Sequence, residues 1–313
     1  MKIFITGATG GIGKSLAPVL AKKRHELILL SRAPDEQFHS LPKASVIIGD
    51  ILNPRSYREA LNGVDCIFHM AAVTHTNNTK LYYRINTEGT RVLLEAASLM
   101  KIHRFIFIST RAIGKSGGGY GDSKERAEEL VKNSGLAWTI VRLAEVFGVS
   151  ENEAISKWVR IIGKMPVVPV IGDGQYTLAP VHINDVVPAL IAVLERANTQ
   201  FKTYLLAGER EITYNDLIET VLRIRGMSKP VIHIPTICFT IGAFLLSWLH
   251  LKKSPIVKDQ IPRLLLKKSA DITLAKTDLA FTPRPFNQAF ELLGGPEKEG
   301  RVDGDGASSA TPR

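Results

Sequence analysis

The sequence predicts an α/β fold: a doubly wound parallel sheet with a smaller, mostly helical C-terminal lobe that caps it. Three observations carry this expectation. Short, near-continuous apolar runs recur through the first half of the chain, helix-period segments separate them, and a glycine-rich turn joins the first run to the first helix. Strands that are apolar on both faces and alternate with helices belong to a parallel sheet covered on both sides. Right-handed crossovers wind the helices onto those faces and place ligands at the carboxyl ends of the strands.

Taken in order, KIFIT (2–6), ELILLS (26–31), SVIIG (45–49), CIFHM (66–70), RFIFIS (104–109) and WTIVR (138–142) read as strands. Residues 11–23, 56–61, 80–100 and 123–134 carry helical spacing between them. After Gly148 the pattern loosens. A helix over 153–162 leads into the Pro/Gly-rich MPVVPVIGDGQYTLAP, another helix opens at Asn184, and TYLLAG (203–208) returns as a strand. Residues 1–148 would form the core, completed by about 180–208, with 149–179 and 209–293 as the substrate-binding lobe. The last stretch, 294–313, is too polar and glycine-rich to bury a core and is expected to be a disordered tail.

At 313 residues, with 45% hydrophobic and 22% charged residues, the composition is that of a globular protein with a sizeable core. The net charge of +10 suits acidic partners such as nucleotides, phosphates or a membrane surface, but no Lys/Arg stripe interleaves with aromatics, so no nucleic-acid partner is expected. Two cysteines, Cys66 and Cys238, make no disulfide framework, and with a strand beginning at Lys2 the expected setting is the cytoplasm. Residues 230–251 hold no Asp, Glu, Lys or Arg. Pro235 divides them, so 236–251 reads first as a packed lid helix, with a peripheral membrane contact and then a transmembrane span as the alternatives.

The glycine turn has two readings. Gly7, Gly10 and Gly13 have dinucleotide-turn spacing, yet ATGGIGKS (8–15) also fits a phosphate-binding P-loop if Ala is allowed first. Both set backbone N–H groups and a helix N-terminus against phosphate. A triphosphatase needs a downstream acid to hold Mg²⁺ and a group to position water. Asp50 imitates the first, and nothing obvious supplies the second.

Tyr120 and Lys124, four residues apart, share a helix face, so phenol and ammonium can meet in one site. The strand before them ends in Ser109-Thr110, which offers a hydroxyl beside the phenol. Arg32, at the end of the second strand with no acid until Asp35, suits a 2′-phosphate on an adenosine ribose. The eight histidines form no ligand cluster, so no metal is expected, and His69 and His182 read as structural. Asp185 reads as a helix cap.

In order, TGATGGIG (6–13), Asp50-Ile51, HMAA (69–72), Asn86 with TEGT after it, the Ser109 region, YGDSK (120–124), VRLAEVFG (141–148) and PVHINDV (180–186) resemble one family. It is the extended branch of the short-chain dehydrogenase/reductase superfamily, the NAD-dependent epimerase/dehydratases. The likeness covers about residues 1 to 290. It implies a Rossmann fold and an oxidoreductase or epimerase acting on a small-molecule substrate. Gly7, Gly10, Gly11, Ile12 and Gly13 would carry the cofactor pyrophosphate, and Asp50 and Ile51 would flank adenine. Ala71 and Ala72 would leave room for the pyrophosphate and ribose, and Asn86 joins the cofactor set. With Arg32, NADP(H) is preferred over NAD(H).

The resemblance makes Tyr120 the acid/base and Lys124 the holder of the nicotinamide ribose. Bringing a phenol from ~10 to ~7 takes ~4 kcal/mol of preferential phenolate stabilisation, which Lys124 and the nicotinamide ring would supply. The family's catalytic hydroxyl often lies five residues before the glycine matched by Gly114, which favours Ser109 over Thr110. Two departures bear on substrate: the segment before Tyr120 is short, and Gln175 stands where sugar-nucleotide enzymes commonly place an Arg. Arg111, Lys115 or Arg263 are candidates to replace it. The leading expectation is a nucleotide-linked sugar. The alternatives are a reductase of a lipophilic ketone or alcohol, and a non-catalytic dinucleotide-binding subunit of a membrane-associated complex. A homodimer is expected by analogy.

Overall fold

A computed structural model describes residues 1–149, 154–235, 268 and 270–292. The expected helix over 236–251, the tail over 294–313, Cys238 and Arg263 lie outside the described residues.

The first half builds one seven-stranded sheet from β1 (Lys2–Thr6), β2 (Glu26–Ser31), β3 (Ala44–Ile48), β4 (Cys66–His69), β5 (Arg104–Thr110), β6 (Ala137–Leu143) and, from later in the chain, Lys202–Leu206. Its order is Lys202–Leu206, β6, β5, β4, β1, β2, β3, with every pair parallel. The chain winds outward from β1 in one direction through β2 and β3. It then crosses back to β4 and winds the other way. The crevice between β1 and β4 is the topological switch point, where such sheets bind ligands.

Alternation along β1 shows why the strands are apolar on both faces. Ile3 and Ile5 pack on one side, beneath α1 (Gly11–Lys22) and the later helix Ile183–Glu195. Phe4 packs on the other side, with Leu93 and Ala97 of Gly89–Leu99 and Val131 of Gly118–Lys132.

The expected helix over 56–61 is instead two 3₁₀ turns, Pro54–Ser56 and Arg58–Leu61, since Pro54 and the short span leave no room for a full helix. The expected 80–100 helix is α2 (Thr79–Tyr82), a π-helical stretch over Tyr83–Glu88, and α3 (Gly89–Leu99). The π-helical stretch carries Asn86 inward, where it is fully buried. The helix expected from Ser123 begins five residues earlier, as α4 (Gly118–Lys132). Its glycines are poor helix formers, but a Cβ on Gly121 would lie 2.3 Å from the Ala112 carbonyl oxygen. Close packing on the strand-end loop therefore sets the residue type there.

Beyond β6 the chain runs through β7 (Val146–Phe147), α5 (Ala154–Lys164), β8 (Val168–Ile171), β9 (Thr177–Leu178), β10 (Val181–His182), α6 (Ile183–Glu195), β11 (Lys202–Leu206), β12 (Ile212–Thr213), α7 (Tyr214–Ile224), β13 (Val231–Ile234), α8 (Thr273–Leu279) and α9 (Phe286–Glu291). The lobe has more strand than the sequence suggested, because β8–β13 and β9–β12 pair across long loops. A separate core of Phe147, Ile162, Val170, Leu217 and Phe290 holds it.

Two polar ties fasten late segments to the sheet. Arg104, buried at the start of β5, donates to the carbonyls of Ala137 (3.2 Å) and Val193 (3.0 Å) and to the Thr199 hydroxyl (2.8 Å). Asp185 does not cap α6 as expected. The His182 ring accepts from the Asn184 N–H as the cap, and Asp185 instead binds the Arg284 guanidinium at 2.7 and 2.8 Å.

Candidate active site

The glycine turn lies at the carboxyl end of β1, facing the switch point. Gly7 has φ +75°, and a Cβ there would lie 2.6 Å from the backbone nitrogen of Ala71. The turn and the loop after β4 therefore approach at backbone contact, leaving a shelf that only glycine permits. Gly13 lets α1 close onto the turn, since its Cβ would sit 2.5 Å from Gly7 O and Ala8 O. Gly10 caps α1 with extended backbone and no side chain, and Gly11 lies under the side chain of Val149. Ile12 is half-buried between them.

The P-loop pair is engaged elsewhere. Lys14 forms an ion pair with Asp35 at 2.9 Å, and Ser15 donates back to the Gly11 carbonyl at 3.1 Å. Arg32 is exposed just past β2, on the stretch that leads to Asp35. Asp50 is exposed and its carboxylate accepts from the Leu52 N–H at 2.9 Å, while Ile51 is buried against Gly89. Ala71 and Ala72 are half-buried behind β4.

Asn86 works from behind the site. Its amide oxygen accepts from Val73 N–H at 2.8 Å, and its amide nitrogen donates to Val73 O and Ser123 Oγ, each at 3.0 Å. Both amide hydrogens are used, so Asn86 fixes the loop after β4 to α4 rather than presenting a free donor. His69 is likewise structural: its ring bridges Thr6 (2.6 Å) and Thr90 (2.9 Å), and burial, then Lys124, push its pKa well down.

Tyr120 and Lys124 stand on the first turns of α4. Tyr120 is half-buried, with its ring edge-to-face with Tyr82 at 5.9 Å. Lys124 is buried; its ammonium donates to the Ile108 carbonyl at 2.7 Å and lies 3.8 Å from the Phe107 ring centre. Burial brings its pKa down to about 7, against the opposing pull of Glu128. The spacing argument that favoured Ser109 meets a different placement. The Ser109 hydroxyl is buried and donates to Glu128 at 2.6 Å, whereas half-buried Thr110, at the very end of β5, accepts from the Ala112 N–H at 3.2 Å.

Two acids went unremarked in the sequence. Glu128 is 2% exposed, held by Ser109 and by Arg142 at 2.7 and 2.9 Å. Its signal was the further i+4 step beyond Lys124. Glu145, two residues past β6, receives Arg111 at 2.8 Å, Lys268 at 3.2 Å and the Ala179 N–H at 3.1 Å. Its signal was a lone acid in the apolar VRLAEVFG. Arg111 also reaches Glu211 at 3.4 Å and is only 3% exposed, so the cation suggested for a diphosphate is already committed to carboxylates.

The model of the NAD dependent epimerase/dehydratase family matches residues 3–207. The chain belongs to that family. Family membership agrees with the sheet order and with the resemblance drawn from the motifs. The ceramide reductase of Caulobacter vibrioides (strain NA1000 / CB15N) is 25% identical over 258 residues, covering 82% of this chain and 80% of that one. A 4-hydroxy-2-methyl-3-oxo-4-farnesyl-3,4-dihydroquinoline-1-oxide ketoreductase of Stigmatella aurantiaca is 24% identical, covering 75% and 76%. The Bacillus cereus UDP-glucuronic acid 4-epimerase structure, in complex with UDP-glucuronic acid and NAD, matches with TM-score 0.74, 24% identity and coverage of 93% and 97%. At that identity the structural match speaks to the fold.

In this family member, Gly7→Ala is expected to cost about 1–3 kcal/mol in backbone strain and overlap and to weaken NADH binding. A urea midpoint and an NADH fluorescence titration read both effects. Wild-type values in the two would remove Gly7 from the site.

Proposed function

We propose that the chain is an NAD(P)-dependent oxidoreductase acting at a secondary alcohol or ketone. The observation that carries this reading is Tyr120 one helical turn from buried Lys124, whose ammonium donates to the Ile108 carbonyl next to the hydroxyl-bearing end of β5. The shelf at Gly7, where a Cβ would overlap Ala71, fits a pyrophosphate passing over the turn. Gly7, Gly10, Gly11, Ile12 and Gly13 would hold it, with Ile51 and Asp50 near adenine and Ala71 and Ala72 beside the ribose. The dinucleotide, when bound, supplies the hydride chemistry.

The chain's own groups handle binding and the proton. Tyr120 gives its phenolic proton to the substrate carbonyl oxygen in reduction and recovers it in oxidation. Lys124, as an ammonium, orients the nicotinamide ribose and favours the phenolate by its charge. Thr110 is the hydroxyl we assign to the reacting oxygen, because Ser109 is spent on Glu128. Asn86 keeps the β4 loop and α4 in register, so these groups stay aligned.

For substrate, the committed state of Arg111 favours a ketone or alcohol on a lipophilic molecule over a nucleotide-linked sugar. An interior guanidinium already paired to two carboxylates is a poor diphosphate receptor. The names of the two reductase relatives agree with this choice. The test is NAD(P)H consumption with long-chain ketones, set against chromatographic product analysis of UDP- and dTDP-sugars, whose epimerisation or dehydration consumes no net NAD(P)H. Turnover of ketones alone supports the reading, and turnover of the sugar nucleotides alone overturns it.

Cofactor choice rests on Arg32, for which Arg32→Asp is expected to weaken NADPH about tenfold or more, the worth of one charge-assisted phosphate contact. NADH affinity should hold or improve. Paired titrations of the two nucleotides measure it, and an unchanged affinity ratio would sink the NADP(H) assignment.

A further inference from the structure

The geometry points to Glu128 as a positioning residue that holds Lys124 in its working charge state, through an ion pair with Arg142 built beneath the active site. The inference rests on the reading of Lys124 as a cofactor-ribose ligand.

Its basis is the arrangement around the ammonium. Glu128 lies one turn beyond Lys124 on α4, and both side chains turn into the sheet, at 2% exposure each. The groups that face Lys124 come from several elements. β5 contributes the Ile108 carbonyl and the Phe107 ring. β4 contributes His69, held neutral by its burial. α4 itself contributes Tyr120 on one side and Glu128 on the other. Among the groups named, Glu128 is the one carboxylate, and it opposes the effect of burial on Lys124. Without it, an ammonium among Phe107, His69 and the sheet would surrender its proton, because burial disfavours the charged form.

Glu128 is in turn prevented from collapsing onto Lys124. Ser109 donates to Oε1 at 2.6 Å, and Arg142 donates to both oxygens, at 2.9 Å to Oε1 and 2.7 Å to Oε2. These bonds fix the carboxylate on the β5–β6 side and leave the Lys124 ammonium with the Ile108 carbonyl at the strand end. The serine that motif spacing offered for catalysis thereby acquires a different task. It anchors the counter-charge.

The experiment is an NADH fluorescence titration from pH 5.5 to 9 on the full chain, on Glu128→Gln, Glu128→Asp and Arg142→Gln, and on Lys124→Met as the reference. In the unaltered protein, affinity should fall as pH rises and the ammonium is lost, and Lys124→Met should flatten that dependence. Glu128→Gln should move the midpoint to lower pH by about one unit, and Arg142→Gln should move it upward, because the carboxylate is then less compensated. Glu128→Asp should restore the original midpoint.

Glu128→Gln and Arg142→Gln break the same ion pair, so a purely structural role predicts shifts of one sign in both, or lowered affinity with no shift. Either result overturns the inference. If Glu128→Gln fails to fold, an unshifted midpoint in Glu128→Asp together with an upward shift in Arg142→Gln supports the inference, and a shift of one sign in both, or none in Arg142→Gln, overturns it. Failure of both NADH and NADPH to bind the unaltered protein at any pH would instead overturn the dinucleotide reading on which this rests.

Discussion

Tyr120→Phe is expected to lower turnover by about 10²–10⁴-fold, the usual worth of a positioned acid/base. NADH affinity and the melting temperature should stay near those of the unaltered protein. The change removes one oxygen and keeps the ring that packs edge-to-face on Tyr82. Lys124 keeps its carbonyl partner at Ile108 and its burial beneath the helix. What disappears is the proton that the substrate oxygen must gain or lose. A steady-state assay with a turned-over ketone, beside a thermal melt, separates the two effects. Turnover that survives would remove Tyr120 from the acid/base role.

Arg111→Ala is expected to cost about 3–5 kcal/mol of stability, the range for stripping one partner from a buried ion pair. Its guanidinium is 3% exposed and answers both Glu145 and Glu211. Burial alone would raise the Glu145 carboxyl, but Lys268, Arg111 and the Ala179 N–H together outweigh it and hold the pKa below the ordinary value. A depressed folded-state pKa adds stability above the unfolded value of ~4.3, and that stability is lost as pH falls through the folded value. Urea midpoints measured at neutral pH and down through the acid range should therefore differ most between the two proteins at neutral pH. They should converge on acidification. A loss below about 1 kcal/mol at neutral pH would place this cluster among surface pairs of little consequence.

The sheet was legible because its signal is local and repeated: each β-strand of the first half is an apolar run, and burial of the inner strands on both faces admits little else. Helix boundaries near the site were less legible. Tyr120 sits within α4 because Gly117 and Gly121 let the helix press on Ala112, a tertiary cause that overrides the poor helix propensity of glycine. The pairing of Tyr120 with Lys124 followed from helix spacing. The commitments of Ser109, Asn86 and Arg111 did not, because each depends on a partner from another element: Glu128, Val73 and Glu145. Spacing along a chain identifies residues able to reach a site, but leaves open which are already engaged.

Arg104 has a consequence for how the molecule is assembled. Two of its three acceptors, Val193 and Thr199, arrive about ninety residues later in the chain. Until they do, β5 carries a guanidinium at the core boundary with too few acceptors, and burying it in that state is unfavourable. The central sheet is therefore expected to close only together with α6 and the 3₁₀ turn Ala197–Thr199 that follows it, the whole span maturing as one cooperative unit. A fragment ending at Gly148 would hold six of the seven strands and every glycine of the turn after β1. It is expected to lack a cooperative thermal transition by circular dichroism, and a sharp two-state melt would show that the sheet closes without its latecomers.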